Sequence, residues 1–198
     1  MYIVLIITDA NRMNHRRKQT MSRILILAGS PRRGGNTELL ARAFAETAGQ
    51  RNETELIFAA DCRIYPCTGC NSCYTREGHR CFRDDDMQQI YEKLKQADTL
   101  IIASPVYFYG ISAQLKALVD RLHTPMRNDF RIRKLGLILA GAADLPDLFD
   151  PIILQYRMIL RFFRLEDTGM VLVPGVKDKG DILATDGIRQ VREMARKL

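Results

Sequence analysis

All five cysteines of the chain fall between residues 62 and 81. Cys67, Cys70, Cys73 and Cys81 stand in PCTGCNSCYTREGHRC, residues 66–81, with the spacing C-x2-C-x2-C-x7-C, and Cys62 lies just upstream. Thiols gathered this way can ligate a metal, cycle through a disulfide, or simply pack. A C-x2-C-x2-C run can set successive thiolates on different irons of a cubane [4Fe-4S] cluster, with Cys81 in reach as the fourth ligand. Four thiolates can also close a zinc site, although the first three cysteines are spaced too evenly for two C-x2-C knuckles. A Cys67–Cys70 dithiol, its thiol activated by Arg63, Arg76 and a nearby helix N-terminus, is a third chemistry. A metal-free lid is a fourth. The three histidines, His15, His79 and His123, show no mutual spacing that suggests ligation; His79 is the one inside the cysteine loop.

Two other stretches carry chemistry. Gly29-Ser30-Pro31-Arg32-Arg33-Gly34-Gly35-Asn36-Thr37 follows an apolar run and precedes a helical pattern. A helix N-terminus presents unpaired N–H groups and a positive dipole end. Ser30, Asn36 and Thr37 add side-chain donors, Gly34 and Gly35 allow close backbone approach, and Arg32 adds a charge-assisted contact. The stretch therefore reads as a phosphate cradle. It matches neither G-x-G-x-x-G nor G-x-x-x-x-G-K-[ST], so the dinucleotide and P-loop fingerprints are absent. The second stretch is Ser104-Pro105-Val106-Tyr107-Phe108-Tyr109-Gly110-Ile111-Ser112. Three consecutive aromatics on a loop are costly to leave in water, and aromatic and backbone groups there suit a flat amphipathic ligand.

Both stretches need strands behind them. Short apolar runs at Ile24–Ala28, Glu55–Ala59, Thr99–Ala103, Leu135–Ala140 and Gly169–Val173 fit strands buried on both faces. Amphipathic patterns at Thr37–Ala48, Asp86–Gln96, Ser112–Leu122, Asp147–Phe163 and Ile188–Leu198 alternate with them. Alternation of this kind predicts an α/β fold with a parallel sheet covered on both sides by helices. Ligands of such sheets sit at the carboxyl ends of the strands, where strand order reverses. The loop over residues 60–84 exceeds the roughly 12–15 residues beyond which loops are usually functional or disordered.

GSPRRGGNT and, some 70 residues on, SPVYFYGISAQLKALVDR together resemble the flavodoxin-like NAD(P)H-dependent FMN reductase family. The resemblance covers nearly all of residues 22–198. It implies a three-layer sandwich with a five-stranded parallel sheet in the order 2-1-3-4-5, and FMN as cofactor with NAD(P)H as co-substrate. It implies that Ser30, Arg32, Gly35, Asn36 and Thr37 hold the FMN phosphate. Pro105, Val106, Tyr107, Phe108, Tyr109 and Gly110 would wrap the flavin ring, and Ala140, Gly141 and Ala142 would border it. Within the family, the cysteine motif is similar to that of the iron–sulfur flavoproteins, in which a cluster exchanges single electrons with FMN. Relatives with a comparable cysteine loop and no cluster keep the lid reading open, with Asp86 or a neighbour capping the next helix. The chain is therefore expected to be an FMN-dependent oxidoreductase acting on a flavin, a quinone or a similar acceptor. The alternative is an iron–sulfur flavoprotein electron carrier. No catalytic side chain is expected, because the flavin carries the chemistry.

Composition narrows the classes further. The net charge is +7, yet residues 1–23 hold Arg12, Arg16, Arg17, Lys18 and Arg23 against Asp9 alone, so the body is only mildly basic. No basic stripe with interleaved aromatics points to nucleic acid, and no apolar run reaches the roughly 20 residues of a membrane span. A plain flavodoxin-type carrier is usually acidic, which this chain is not. Residues 1–21 are read as an N-terminal extension of unassigned role, since SRILILAGS after Met21 looks like the natural start of a first strand. Tyr2–Ile7 is too short for a signal peptide and lacks a basic start, so a cytoplasmic location is expected. The expected partners are a small-molecule acceptor or redox carrier and further copies of the chain, as a homodimer or homotetramer.

Overall fold

Strand β1 (Arg23–Ala28) reads RILILA, and every residue after Arg23 is buried. A strand with no polar face needs cover on both sides, which is the situation of a parallel sheet. The computed structural model, which describes residues 21–198, supplies it. Strands β1, β2 (Glu53–Phe58), β3 (Thr99–Pro105), β4 (Lys134–Ala140) and β5 (Glu166–Val173) form one parallel sheet in the order β2-β1-β3-β4-β5. The extension expected over residues 1–21 lies outside the described residues apart from Met21. Among the described residues, no helix is long and apolar enough to cross a membrane.

Helices α1 (Asn36–Ala48) and α6 (Gly187–Arg196) cover one face of the sheet. Helices α3 (Met87–Gln96), α4 (Ala113–Asp120) and α5 (Asp150–Phe163) cover the other. Strand periodicity sorts the core accordingly. Leu25, Leu27, Leu100, Ile102, Leu135, Leu137 and Leu139 face α3–α5. Ile24, Ile26, Ala28, Ile101, Ala103, Ile138 and Ala140 face α1 and α6. Strand β5 starts three residues before the apolar run that announced it, because Glu166 and Asp167 pair at an exposed sheet edge. The helix expected over Ser112–Leu122 begins one residue later, with the buried Ser112 as its N-cap accepting from Leu115 N at 3.4 Å. A short α-helix that the sequence pattern does not announce, α2 (Ser72–Thr75), lies inside the cysteine loop.

The roots of the functional loops are tied together. Gly29 N donates to Ala103 O at 2.8 Å, joining the ends of β1 and β3. A Cβ on Gly29 would lie 2.6 Å from Ser112 Oγ and 2.8 Å from Leu115 Cβ, so only glycine lets α4 pack this close to β1. Ser112 N in turn donates to the buried Ser104 Oγ at 3.0 Å.

The cysteine loop is pinned at its base. Arg63 N donates to Asp86 Oδ2 at 2.7 Å, and Asp86 N returns a bond to Arg63 O at 3.0 Å. Beside this clasp, Asp85 and Arg121 form an ion pair whose side chains are 1% and 4% exposed. Asp85 also accepts from Tyr65 N at 3.0 Å and Met87 N at 3.3 Å, so at the start of α3 the N-cap position is Asp86 but the side chain that bonds a helix N–H is that of Asp85. Arg121 donates to Tyr65 O at 3.2 Å, and its own carbonyl accepts from Tyr91 Oη at 2.8 Å. Burial alone would raise the Asp85 carboxyl, but the Arg121 guanidinium and the backbone N–H groups hold it below the usual carboxylate range.

A carboxyl depressed on folding contributes stability above its unfolded pKa of about 3.9 and loses it as the pH falls through the folded value. Stability is therefore expected to be flat from neutral pH down to about 5 and to drop below about 4. Asp85→Ala strands the Arg121 charge and is expected to cost about 3–5 kcal/mol at neutral pH. Urea midpoints of both proteins at neutral and acid pH check this. A variant as stable as the parent at neutral pH would show that the pair does not anchor the loop.

Candidate functional site

The loop after β1 delivers its polar groups to the carboxyl edge of the sheet. Ser30, Asn36 and Thr37 are all buried. Ser30 Oγ accepts from Arg32 N at 3.2 Å, which turns the chain back on itself. Gly34 takes a left-handed φ of 62° and donates its N–H to Glu38 Oε2 at 2.8 Å. Burial opposes the charge on Glu38, yet bonds from Arg42 and Gly34 keep its carboxyl below the usual range. Gly35 is the N-cap of α1, and no side chain caps that helix. The helix thus opens with unpaired N–H groups facing the cleft.

The opposite wall comes from the loops after β3 and β4. Pro105, Val106, Tyr107, Ala140 and Ala142 line the same cleft as Ser30, Arg32, Gly35, Asn36 and Thr37. Val106 N donates to Ala140 O at 2.8 Å, fixing the two loops side by side. Beyond Val106 the chain makes a tight turn. Tyr107 and Gly110 exchange both backbone bonds, at 2.9 and 3.0 Å, and Phe108 and Tyr109 between them sit at φ of 47° and 62°. That geometry belongs to Asn-Gly pairs. For L-residues the left-handed region costs roughly 1–2 kcal/mol each. Phe108 is 98% exposed at the tip. Phe108, Tyr109 and Gly110 thus stand at the mouth of the cleft and do not line it. Gly141 lies beneath its wall, bonded to Val173 O at 2.9 Å, and a Cβ there would meet Leu148 Cδ2 at 2.5 Å.

A fourth loop, after β5, completes the cleft with Val176, Lys177 and Lys179. Sequence reasoning missed these lysines. The available signal was VKDKGD following the fifth strand, at the edge where the other loops gather. The side-chain amide of Asn36, expected to serve a phosphate, is engaged here. Its Nδ2 donates to Asp178 O at 2.9 Å, and its Oδ1 accepts from Gly180 N at 3.1 Å and Ile182 N at 3.3 Å. Arg32 also reaches this loop, donating to Lys177 O at 3.1 Å. Arg33 turns the other way, pairing with Asp61 and lying 5.0 Å over the Phe58 ring.

All five cysteines are free thiols, with Cys67 and Cys70 exposed and Cys62, Cys73 and Cys81 half-buried. Left-handed residues at Gly69, Asn71, Gly78 and His79 fold the loop into successive tight turns. Burial raises the Cys73 thiol, and the nearby Cys81 and Cys67 add to that rise. A hydrogen bond with Ser72, 3.2 Å from Sγ to Oγ, lowers the Cys70 thiol. His79 Nδ1 lies 3.1 Å from Cys73 O, so this histidine braces the loop. Among the described residues, no three of His, Cys, Asp or Glu are gathered closely enough to hold a metal. The donor set of four thiols suits a cubane cluster in number and chemistry.

Known proteins place this architecture. The chain is 44% identical over 124 residues to an iron-sulfur flavoprotein of Methanocaldococcus jannaschii, a match that takes in 61% of this chain and 63% of that relative's length. It is 32% identical over 169 residues, 81% of the chain and 89% of the relative, to a Bacillus subtilis protein named as an NAD(P)H-dependent FMN-containing oxidoreductase. An NAD(P)H:quinone oxidoreductase from Methanothermobacter marburgensis shares the fold with a TM-score of 0.71 at 17% identity, over 89% of this chain and 96% of that one. Residues 22–145, which include the first two cleft loops and the whole cysteine loop, match the family described as NADPH-dependent FMN reductase, and to that family the chain belongs.

Proposed function

We propose that the cleft binds FMN and that the protein is an oxidoreductase using NAD(P)H to reduce a small acceptor such as a flavin or a quinone. One observation carries the reading. The uncapped N-terminus of α1 opens into a cleft whose facing wall is Pro105, Val106 and Tyr107, at the point between β1 and β3 where strand order reverses. The left-over N–H groups suit a phosphate, and the facing wall suits a flat ring. When bound, FMN supplies the redox chemistry between nicotinamide and acceptor. The chain's own residues bind and orient. Ser30, Arg32, Gly35 and Thr37 address the phosphate, and Asn36 holds the neighbouring loop. The Tyr107–Gly110 turn brings aromatic surface to the ring. Protein carrying FMN and oxidising NADH or NADPH is the expected result of purification in the presence of flavin. Protein that retains no flavin after soaking would remove the reading.

The cysteine loop favours a second activity of the same site. Four free thiols on a loop with a pinned base, together with relatives named iron-sulfur flavoproteins, support a cluster that exchanges single electrons with the flavin site. Anaerobically purified protein is then expected to show broad brown absorbance and about four labile irons and sulfides per chain. A clean flavin spectrum without iron would make the loop a lid. Free thiols also suit a reducing compartment, and the cytoplasm is the location this reading assigns.

The strained turn gives a separate test. Phe108→Asn with Tyr109→Gly places the preferred residues at the left-handed positions and is expected to raise Tm by several degrees. The same pair of changes is expected to weaken flavin binding by removing the aromatic surface. A rise in Tm with unchanged flavin affinity would separate the turn from ligand binding.

Assembly belongs to the proposal as well. Leu154, Met158 and Phe162 form an exposed apolar row along α5, suited to a homodimer or homotetramer contact. Leu154→Glu is expected to yield a folded monomer in sedimentation analysis, and an unchanged mass would exclude this face.

A further inference from the structure

We infer that Lys179, carried by the loop after β5 and positioned by Asn36, reaches over the Gly29–Thr37 loop and binds the ligand phosphate there. The inference rests on the reading of the cleft as an FMN site. A phosphate monoester brings about 1.5–2 negative charges at neutral pH, and the loop after β1 has little free positive charge to meet them. Arg33 is committed to Asp61 and to the face of Phe58. Glu38 occupies Gly34 N and is itself neutralised by Arg42. Arg32 remains, and it donates to the carbonyl of Lys177.

Lys179 supplies the missing charge. Its Cε and Nζ lie 2.8 and 2.9 Å from where a Cβ on Gly34 would stand, so the ammonium rests directly on the phosphate loop. Among the described residues, no ion pair engages Lys179. The backbone that carries it is clamped on both sides. Asn36 bonds Asp178 O, Gly180 N and Ile182 N, and Asp181 Oδ2 accepts from Lys177 N at 2.9 Å and Asp178 N at 2.7 Å. Gly180, at φ of 98°, makes the turn that the clamp requires. A cation on a fixed turn has less freedom to lose on binding than one on a loose loop. Asn36 is therefore a positioning residue, and the lysine it sets in place makes the contact.

Fluorescence titrations with FMN and with riboflavin, which lacks the phosphate, test the assignment. Lys179→Met is expected to weaken FMN about tenfold to a hundredfold, the range for one hydrogen bond to a charged group. Riboflavin affinity should stay unchanged, and Lys179→Arg should restore most of the FMN affinity. Asn36→Ala should give the same FMN-selective loss in protein whose circular dichroism matches the parent. FMN affinity unchanged in Lys179→Met, or an equal loss for both flavins, would overturn the inference while leaving the FMN site standing. A parent protein that binds neither flavin would overturn the FMN reading and this inference with it.

Discussion

Burial of a parallel sheet on both faces is the constraint on which this molecule depends. Helices occupy both faces, so the strands can offer chemistry only at their ends. All five strands run the same way, so the loops that follow them emerge at one edge. The connections leaving β1 and β3 diverge to opposite faces and open a crevice between them. Helix α1 starts at that crevice with a glycine as its N-cap. The seam of Gly29, Ser104 and Ser112 holds the two loop roots at a fixed spacing. The cleft is thus a consequence of how the core is covered.

The cysteine loop is the exception to this economy. It lies beyond β2, and none of residues 60–84 is fully buried. The buried Asp85–Arg121 pair and the Arg63–Asp86 clasp give it a fixed base. A buried ion pair is often no more stabilising than a well-packed apolar pair of the same volume. Here each partner also bonds the backbone at Tyr65, so the pair sets where the loop leaves the core. A base fixed in this way leaves the thiol-bearing turns free of the core's packing demands.

Two strained aromatics and two lysines gather around the cleft. Two aromatic residues occupy left-handed backbone positions at its mouth, and one of them lies almost wholly in solvent. Local stability alone selects neither feature, and both become intelligible if a flat ligand covers the turn. The basic residues Lys177 and Lys179 approach from the loop after β5, which is tied to α1 through a single asparagine. On the proposed reading, four separate loops contribute to one binding site, and the hydrogen bonds between them matter as much as the groups that face the ligand.

Much of this was readable from the chain alone. Apolar runs such as ILILA and TLIIA announce doubly covered strands because local periodicity follows from the pleat. The loops GSPRRGGNT and SPVYFYGIS announced themselves because glycine, proline and clustered aromatics are local departures from core chemistry. The apolar pattern of β5 begins only at Gly169, since Glu166 and Asp167 belong to the strand only by pairing with β4 at an open edge. The role of Asn36 was out of reach for a similar reason. Its partners lie more than 140 residues away, and an asparagine at a helix start looks the same whether it faces a ligand or a distant loop. Lys179 and the Asp85–Arg121 pair also depend on contacts between distant segments. Local pattern suffices to read the elements, their order and the loops where chemistry gathers, because pleat and helix periodicity act within a few residues. Which side chains face the cleft and which hold it open emerges with the packed layers, because that depends on what each polar group meets when they close.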